Sequence, residues 1–433
     1  MGEEEIRERV RKLMHDNMIS GYSKSAGSEF HFTQPSPGRY PYQFFWDTCL
    51  HIFILSALEE HDMAKRHLQS LFALQEEDGF VGHMIYWNNV LPKRITDIFQ
   101  SKPSLKRKLF RSHMSALIQP PLAAQAALRI YKSCGDREFL QQMLPKLKKY
   151  YHWIARNRDF HGDGLISIIS NFESGMDWKP TFDVVVGFPE KQADWRLFCR
   201  VVAVDIRNFW HNYNFRKIGE KDYFLVKDAG FNTIYAQNLQ AMAKICEELE
   251  DRDAKQFTKL AAQVIQSMLD ILYDKRSAAF LDVYGKHNRK VNVLTPTIFF
   301  PLVIKEMPDE ICKRVIDKHF FHQNEFGAPF PIPSVAKNHP SFNPDQSTYI
   351  WRGPTWILLN WFMHQFFLEK GYTKEAQHLV KSIKKLVGKS GFREYYHPFN
   401  GEGNGAHDFT WAGLVVDMIN MEKEATYKQR SGT

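Results

Sequence analysis

The feature that most constrains the fold is helical periodicity that recurs in paired segments, each pair fed by a polar, aromatic loop. Apolar positions repeat at helical spacing over about 3–17, 48–60, 62–75, 119–132, 137–156, 232–250, 254–272, 295–306, 310–320, 354–370, 373–386 and 408–421. Several neighbouring segments are joined by turns such as EEHD, KSCGD, EDRD and EKGYT, the spacing of antiparallel helical hairpins. The first helices of successive pairs follow YPYQFFWD, HMSALIQPP, VKDAGFN, RKVNVLTP, STYIWRGP and YHPFNGEGNGAHD, and several of these loops end in Pro or Asp, which suit a helix start. Six such loops predict an all-α (α/α)6 toroid of six helical hairpins with its long loops at one end. The segment 3–17 would pair with the last helix to close the ring; an open helical array is the alternative.

At 433 residues the chain exceeds the usual size of one domain, yet no Gly, Pro or charge run marks a linker, so 1–433 reads as a single domain. Two long connections interrupt the hairpins, at about 79–114 and 159–228, and connections of that length usually serve as lids or binding loops. The first carries Lys106, Arg107, Lys108 and Arg111. One short basic run is a solvated face before it is a nucleic-acid site.

The charge balance, 57 Lys+Arg against 49 Asp+Glu for a net +8, is compatible with an anionic small substrate and does not demand nucleic acid. Cys49, Cys134, Cys199, Cys246 and Cys312 lie far apart with no CxxC pair, which favours a reducing compartment over a disulfide framework or zinc site. The 18 histidines form no HExxH, so neither metal nor cofactor is expected. The N-terminal MGEEEIRERVRKLM reads as a charged amphipathic helix, and no apolar run reaches 18 residues. These features predict a cytoplasmic protein without membrane contact; a homo-oligomer stays open.

Four segments carry chemistry: QFFWDTCL (43–50), NFESGMDWKPTFD (171–183), YIWRGPTWILLNWF (349–362) and GFREYYHPFNGEGNGAHDFTW (391–411). In this order they resemble glycoside hydrolase family 63, and within it the compact enzymes that hydrolyse mannosylglycerate or glucosylglycerate. The likeness runs from about Tyr40 to Trp411. It implies a small-molecule glycoside as substrate, and the residue chemistry agrees: inverting hydrolysis needs one carboxylic acid to protonate the leaving oxygen and one carboxylate to activate water.

The resemblance implies that Asp177 is the general acid, although an Asp in a Gly-bearing loop can also simply tie a turn. It implies that Glu394 is the general base, with Glu402 of NGEGNG as rival; Glu173 would order the acid loop. Trp46 and Asp47 resemble a sugar-binding pair, the indole stacking on the ring while the carboxylate accepts from hydroxyls, and Asp47 could also cap its helix. Gln119 would bind a hydroxyl, Gly175 would lie against substrate, and Tyr40, Trp351, Trp356 and Trp411 would supply the remaining walls, with Trp361 left to helix packing. For a glycerate carboxylate, Arg207 and Tyr213 have a spacing similar to the family's clamp, and Arg352 is a further cation at the site. Ile350 stands where some relatives have tyrosine and Phe409 replaces a polar residue, so another small α-glycoside is open. Trehalase-like or oligosaccharide α-glucosidase activity is an alternative, as is a carbohydrate-binding toroid without catalysis.

Overall fold

The computed structural model describes residues 1–88, 95–101, 113–189 and 191–431; the basic run Lys106–Arg111 lies outside the described residues. The main helices in chain order are α1 (Glu3–Asp16), α2 (Phe45–Ala57), α3 (His61–Leu71), α4 (Ala123–Cys134), α5 (Arg137–Arg158), α6 (Trp195–Trp210), α7 (Ala229–Glu248), α8 (Ala254–Ser267), α9 (Asp309–Val315), α10 (Ile357–Glu369), α11 (Thr373–Ser390) and α12 (Leu414–Ser431). A 3₁₀ helix, Pro296–Val303, precedes α9.

Six of these elements form the inner ring. Contacts run from α2 to α4, α7, the 3₁₀ helix, α10 and α12, and α12 returns to α2, so the ring is closed. Every residue of α2 is buried, and α10 is buried almost throughout, as expected for helices with neighbours on all sides. The outer helices are instead amphipathic: α3 buries Met63, Ala64, His67, Leu68 and Leu71 against the ring and leaves charged residues outside. Helices α3, α5, α8 and α11 pack behind α2, α4, α7 and α10, while α1 lies against α2 and α12. This is the (α/α)6 toroid. Inside it, Asp417 of α12 is bonded by Arg129 of α4 and by Trp361 Nε1 of α10 at 2.8 Å, tying three inner helices; Trp361 packs on Phe53 and Phe362.

Two elements differ from the sequence reading. The stretch expected to be a helix over 295–306 is a short 3₁₀ helix, because Pro301 has no N–H to continue an α-helical ladder. The second long connection contains the 16-residue α6, whose start is capped by Asp194 accepting from the Arg196 N–H at 2.8 Å. Its buried residues Leu197, Val201, Val204, Asp205 and Asn208 follow helical spacing, a stripe that the sequence reading passes over. This helix packs on the short helix Ile95–Phe99 of the first connection, and Gln100 Nε2 donates to the buried Asp205 at 3.0 Å. The two insertions therefore brace each other beside the ring.

Candidate active site

The first turn of α2, the residue that caps the start of α10 and the 3₁₀ turn before α12 open into one cavity. Trp46 and Asp47 occupy the first turn of α2; Trp46 N–H is capped by Gln119 Oε1 at 3.2 Å from the loop before α4. Asp47 is not the helix cap. Its Oδ1 accepts from Trp411 Nε1 at 2.8 Å, and burial pushes the carboxyl up to about 7 in spite of that bond. Trp46 meets Trp411 edge-on at 5.0 Å. Beside them Trp351 and Trp356 stack in parallel, 3.8 Å apart at 7°, their rings 6.3 and 5.7 Å from that of Trp411, with Trp351 held at φ +74°, a conformation that a bulky side chain adopts at a cost. Trp356 lines the cavity, while its Nε1 is buried without a protein partner.

Asp177 lies in a loop pinned at three points by buried ion pairs. Arg158 donates to Glu173 at 2.8 and 2.6 Å, Lys179 sits between Asp228 and Asp282, and Arg352 donates to Asp183 at 2.8 and 2.6 Å. Glu173 also accepts from the N–H groups of Ile118 and Ile169, so it orders the loop and does not face the cavity. Gly175 has φ +72°, and a Cβ there would fall 2.4 Å from the Trp46 indole. Only glycine lets this loop close onto the tryptophan, and that closure sets Asp177, half-buried, on the cavity wall.

Glu394 reaches the same cavity from the strand Arg393–Tyr396, which pairs antiparallel with Gly403–His407. Its side chain is 1 % exposed. Oε1 accepts from the Tyr40 hydroxyl at 2.7 Å, Oε2 accepts from the Ala406 N–H at 2.7 Å, and Arg39 Nη1 stands 3.3 Å from Oε2. Burial and the neighbouring Glu394 carboxylate both raise the Tyr40 phenol well above its ordinary value, so it remains a donor. Glu402 is exposed in the turn between the two strands and lines neither this cavity nor the one beside it.

A second, wider chamber adjoins the first. Tyr40, Phe44, Gln119 and Asp177 line both, so Asp177 stands at the junction. The feeder loop of α2 contributes Arg39 and Tyr42, and the first insertion contributes His83, Thr96, Asp97 and Gln100. The sequence reading misses Arg39, although its position beside Tyr40 in PGRYPYQFFWD is the available signal.

Of the expected site residues, Tyr40, Trp46, Asp47, Gln119, Gly175, Asp177, Trp351, Trp356, Glu394 and Trp411 meet at the first cavity, with Ile350 and Phe409 beside them. Three do not. Arg207 is exposed on α6, over the ring of Tyr223 at 4.8 Å. Tyr213 is 1 % exposed in a separate apolar cluster, its hydroxyl donating to the Phe99 carbonyl. Arg352 is 1 % exposed and spent on Asp183; a buried guanidinium keeps the carboxylate that neutralises it. Among the described residues no three His, Cys, Asp or Glu side chains form a metal-ligating group, and no helix is long and apolar enough to cross a membrane.

A family model described as the mannosylglycerate hydrolase MGH1-like glycoside hydrolase domain matches residues 40–412. A mannosylglycerate hydrolase of Rubrobacter radiotolerans is 27% identical over 423 residues, covering 90% of this chain and 93% of that protein. A glucosylglycerate hydrolase of Mycolicibacterium hassiacum is 25% identical over 427 residues, covering 89% and 94%. The fold is that of the GH63 mannosylglycerate hydrolase of Thermus thermophilus solved with Tris and D-glycerate: the TM-score is 0.82 over 96% of this chain and all of that one, at 23% identity.

Proposed function

Because the chain belongs to the mannosylglycerate hydrolase MGH1-like glycoside hydrolase family, we propose that it hydrolyses 2-O-α-mannosyl- or 2-O-α-glucosyl-D-glycerate to free sugar and glycerate with inversion at the anomeric carbon. The observation that carries this reading is the placement of Asp177 and Glu394 on one tryptophan-walled cavity, with Asp177 where that cavity meets the second chamber. The sugar occupies the first chamber, against the wall of Trp46, Trp351, Trp356 and Trp411, and glycerate occupies the second.

Water held by Glu394 attacks the anomeric carbon, its proton passing to the carboxylate as the glycosidic C–O bond breaks, while Asp177 gives its proton to the departing oxygen. Proton exchange with solvent then returns Glu394 to the carboxylate and Asp177 to the acid. Tyr40 and the Ala406 amide fix both oxygens of Glu394, a pre-organisation that costs nothing during the reaction. Glucosylglycerate and mannosylglycerate differ in the orientation of one hydroxyl, which falls to Asp47 and Gln119 on the cavity wall to read. The five unpaired cysteines support a reducing, cytoplasmic setting.

Likeness to a yeast neutral trehalase, at 13% identity and a TM-score of 0.60, extends to the fold alone. The test is hydrolysis of matched glucosides and mannosides, with glycerate and glyceryl aglycones, followed by proton NMR of the first-formed anomer. Release of β-sugar from a glycerate conjugate is expected. Initial α-sugar would rule out inversion, and sugar binding without turnover of any substrate would favour a binding toroid.

A further inference from the structure

We infer that Arg39 is the residue that selects a carboxylate-bearing leaving group; this rests on the proposed hydrolysis of a glycerate conjugate. An anionic leaving group needs a cation beside it, and Arg207 lies outside the second chamber while Arg352 is committed to Asp183. Arg39 is the single Arg or Lys among the described residues lining that chamber.

Its setting suits the task. The guanidinium sits over the Tyr40 ring at 5.6 Å, and Nη1 stands 3.3 Å from Glu394 Oε2. Held on two sides, the group keeps a defined orientation, yet its side chain is 42 % exposed. Five N–H donors on a rigid fork can serve Glu394 and still present an edge to a ligand carboxylate. Asp97 lines the same chamber from the Ile95–Phe99 helix. The two poles orient glycerate, carboxylate toward Arg39 and hydroxyl toward Asp97.

The competing role for Arg39 is positional, acting on the reaction through Glu394. The two roles separate on a pair of substrates with the same sugar, one carrying glycerate and one carrying neutral glycerol. Arg39→Gln is expected to lower kcat/KM on the glycerate conjugate by about 30-fold or more, the loss of a charge-assisted bond, mainly through KM. Loss of the Glu394 contact lowers kcat on both conjugates alike, so the test is the difference: the glycerate conjugate should lose at least about tenfold more than the glyceryl conjugate, and Arg39→Lys should restore part of the preference for glycerate. Equal losses on both conjugates, or no loss on glycerate, would overturn the assignment. Calorimetric titration with D-glycerate and with glycerol gives an answer free of turnover: the wild type should bind D-glycerate more tightly than Arg39→Gln does, and glycerol equally. A wild type that hydrolyses neither conjugate would defeat the proposed function, whereas equal D-glycerate affinity of the two proteins would defeat the role of Arg39. A thermal melt of each variant confirms the fold.

Discussion

The Tyr40 hydroxyl donates to Oε1 of Glu394 at 2.7 Å, joining residues 354 positions apart. With the Ala406 N–H on the other oxygen, this bond leaves the carboxylate little freedom to turn. Tyr40→Phe removes one donor and keeps the ring. We expect kcat to fall by about 10- to 100-fold with a small change in KM and in melting temperature. Steady-state kinetics at wild-type kcat would show that the Ala406 amide suffices.

Gly405, at φ +69°, leaves no room for a side chain: a Cβ would lie 2.5 Å from Glu394 Oε2 and 2.6 Å from the Tyr395 ring. Gly405→Ala must displace the carboxylate or the hairpin and also strain the backbone, at about 1–3 kcal/mol. Activity should drop by more than about 100-fold while far-UV circular dichroism stays native. An active Gly405→Ala enzyme would remove Glu394 from the chemistry.

Asp47 should tilt stability with pH. Its carboxyl is raised from 3.8 to about 7 by burial, so the folded protein holds this proton more tightly than the unfolded chain does. Its contribution to stability is largest below about pH 4, declines as pH rises toward 7, and is flat above. A shift of about three units corresponds to something on the order of 4 kcal/mol. Asp47→Asn keeps an acceptor for Trp411, and urea unfolding from pH 4 to 7 should lose this downward component. The same slope in mutant and wild type would contradict the assignment.

Arg352→Met strands Asp183 in the interior and should cost about 3–5 kcal/mol, seen as a lower urea midpoint. It frees the far end of the loop that carries Asp177, so activity should suffer below the unfolding transition too. The double variant Arg352→Met/Asp183→Asn should regain part of the stability. If it is as unstable as the sum of the two single variants, the pair is not coupled.

The ring is legible in the sequence because its signals are local: the amphipathic outer helices show apolar spacing, and the inner helices show as apolar runs behind a polar, aromatic loop, with Pro301 turning one of the six into a 3₁₀ helix. Tyr40, Trp46, Asp47, Asp177, Glu394 and Trp411 stand in quotable motifs, and the fold brings them to one cavity. What stays hidden depends on partners far along the chain. Nothing near Arg352 reveals Asp183, 169 positions away, and nothing near Tyr213 reveals the Phe99 carbonyl, 114 positions away. The second chamber is built from a feeder loop and an insertion that meet only in space, so spacing alone points to Arg207 and passes over Arg39.

The closed ring has one seam, where α12 returns to α2, and the sugar cavity straddles it. Tyr40 meets Glu394 there, and Asp47 meets Trp411 across 364 positions. Such contacts close very long loops and so carry a large entropic cost of closure. A chain whose hairpins have formed but whose seam is open would have native helicity and no sugar pocket. In refolding, enzymatic activity should return with seam closure and lag behind helix formation, so activity itself reports that the ring is complete.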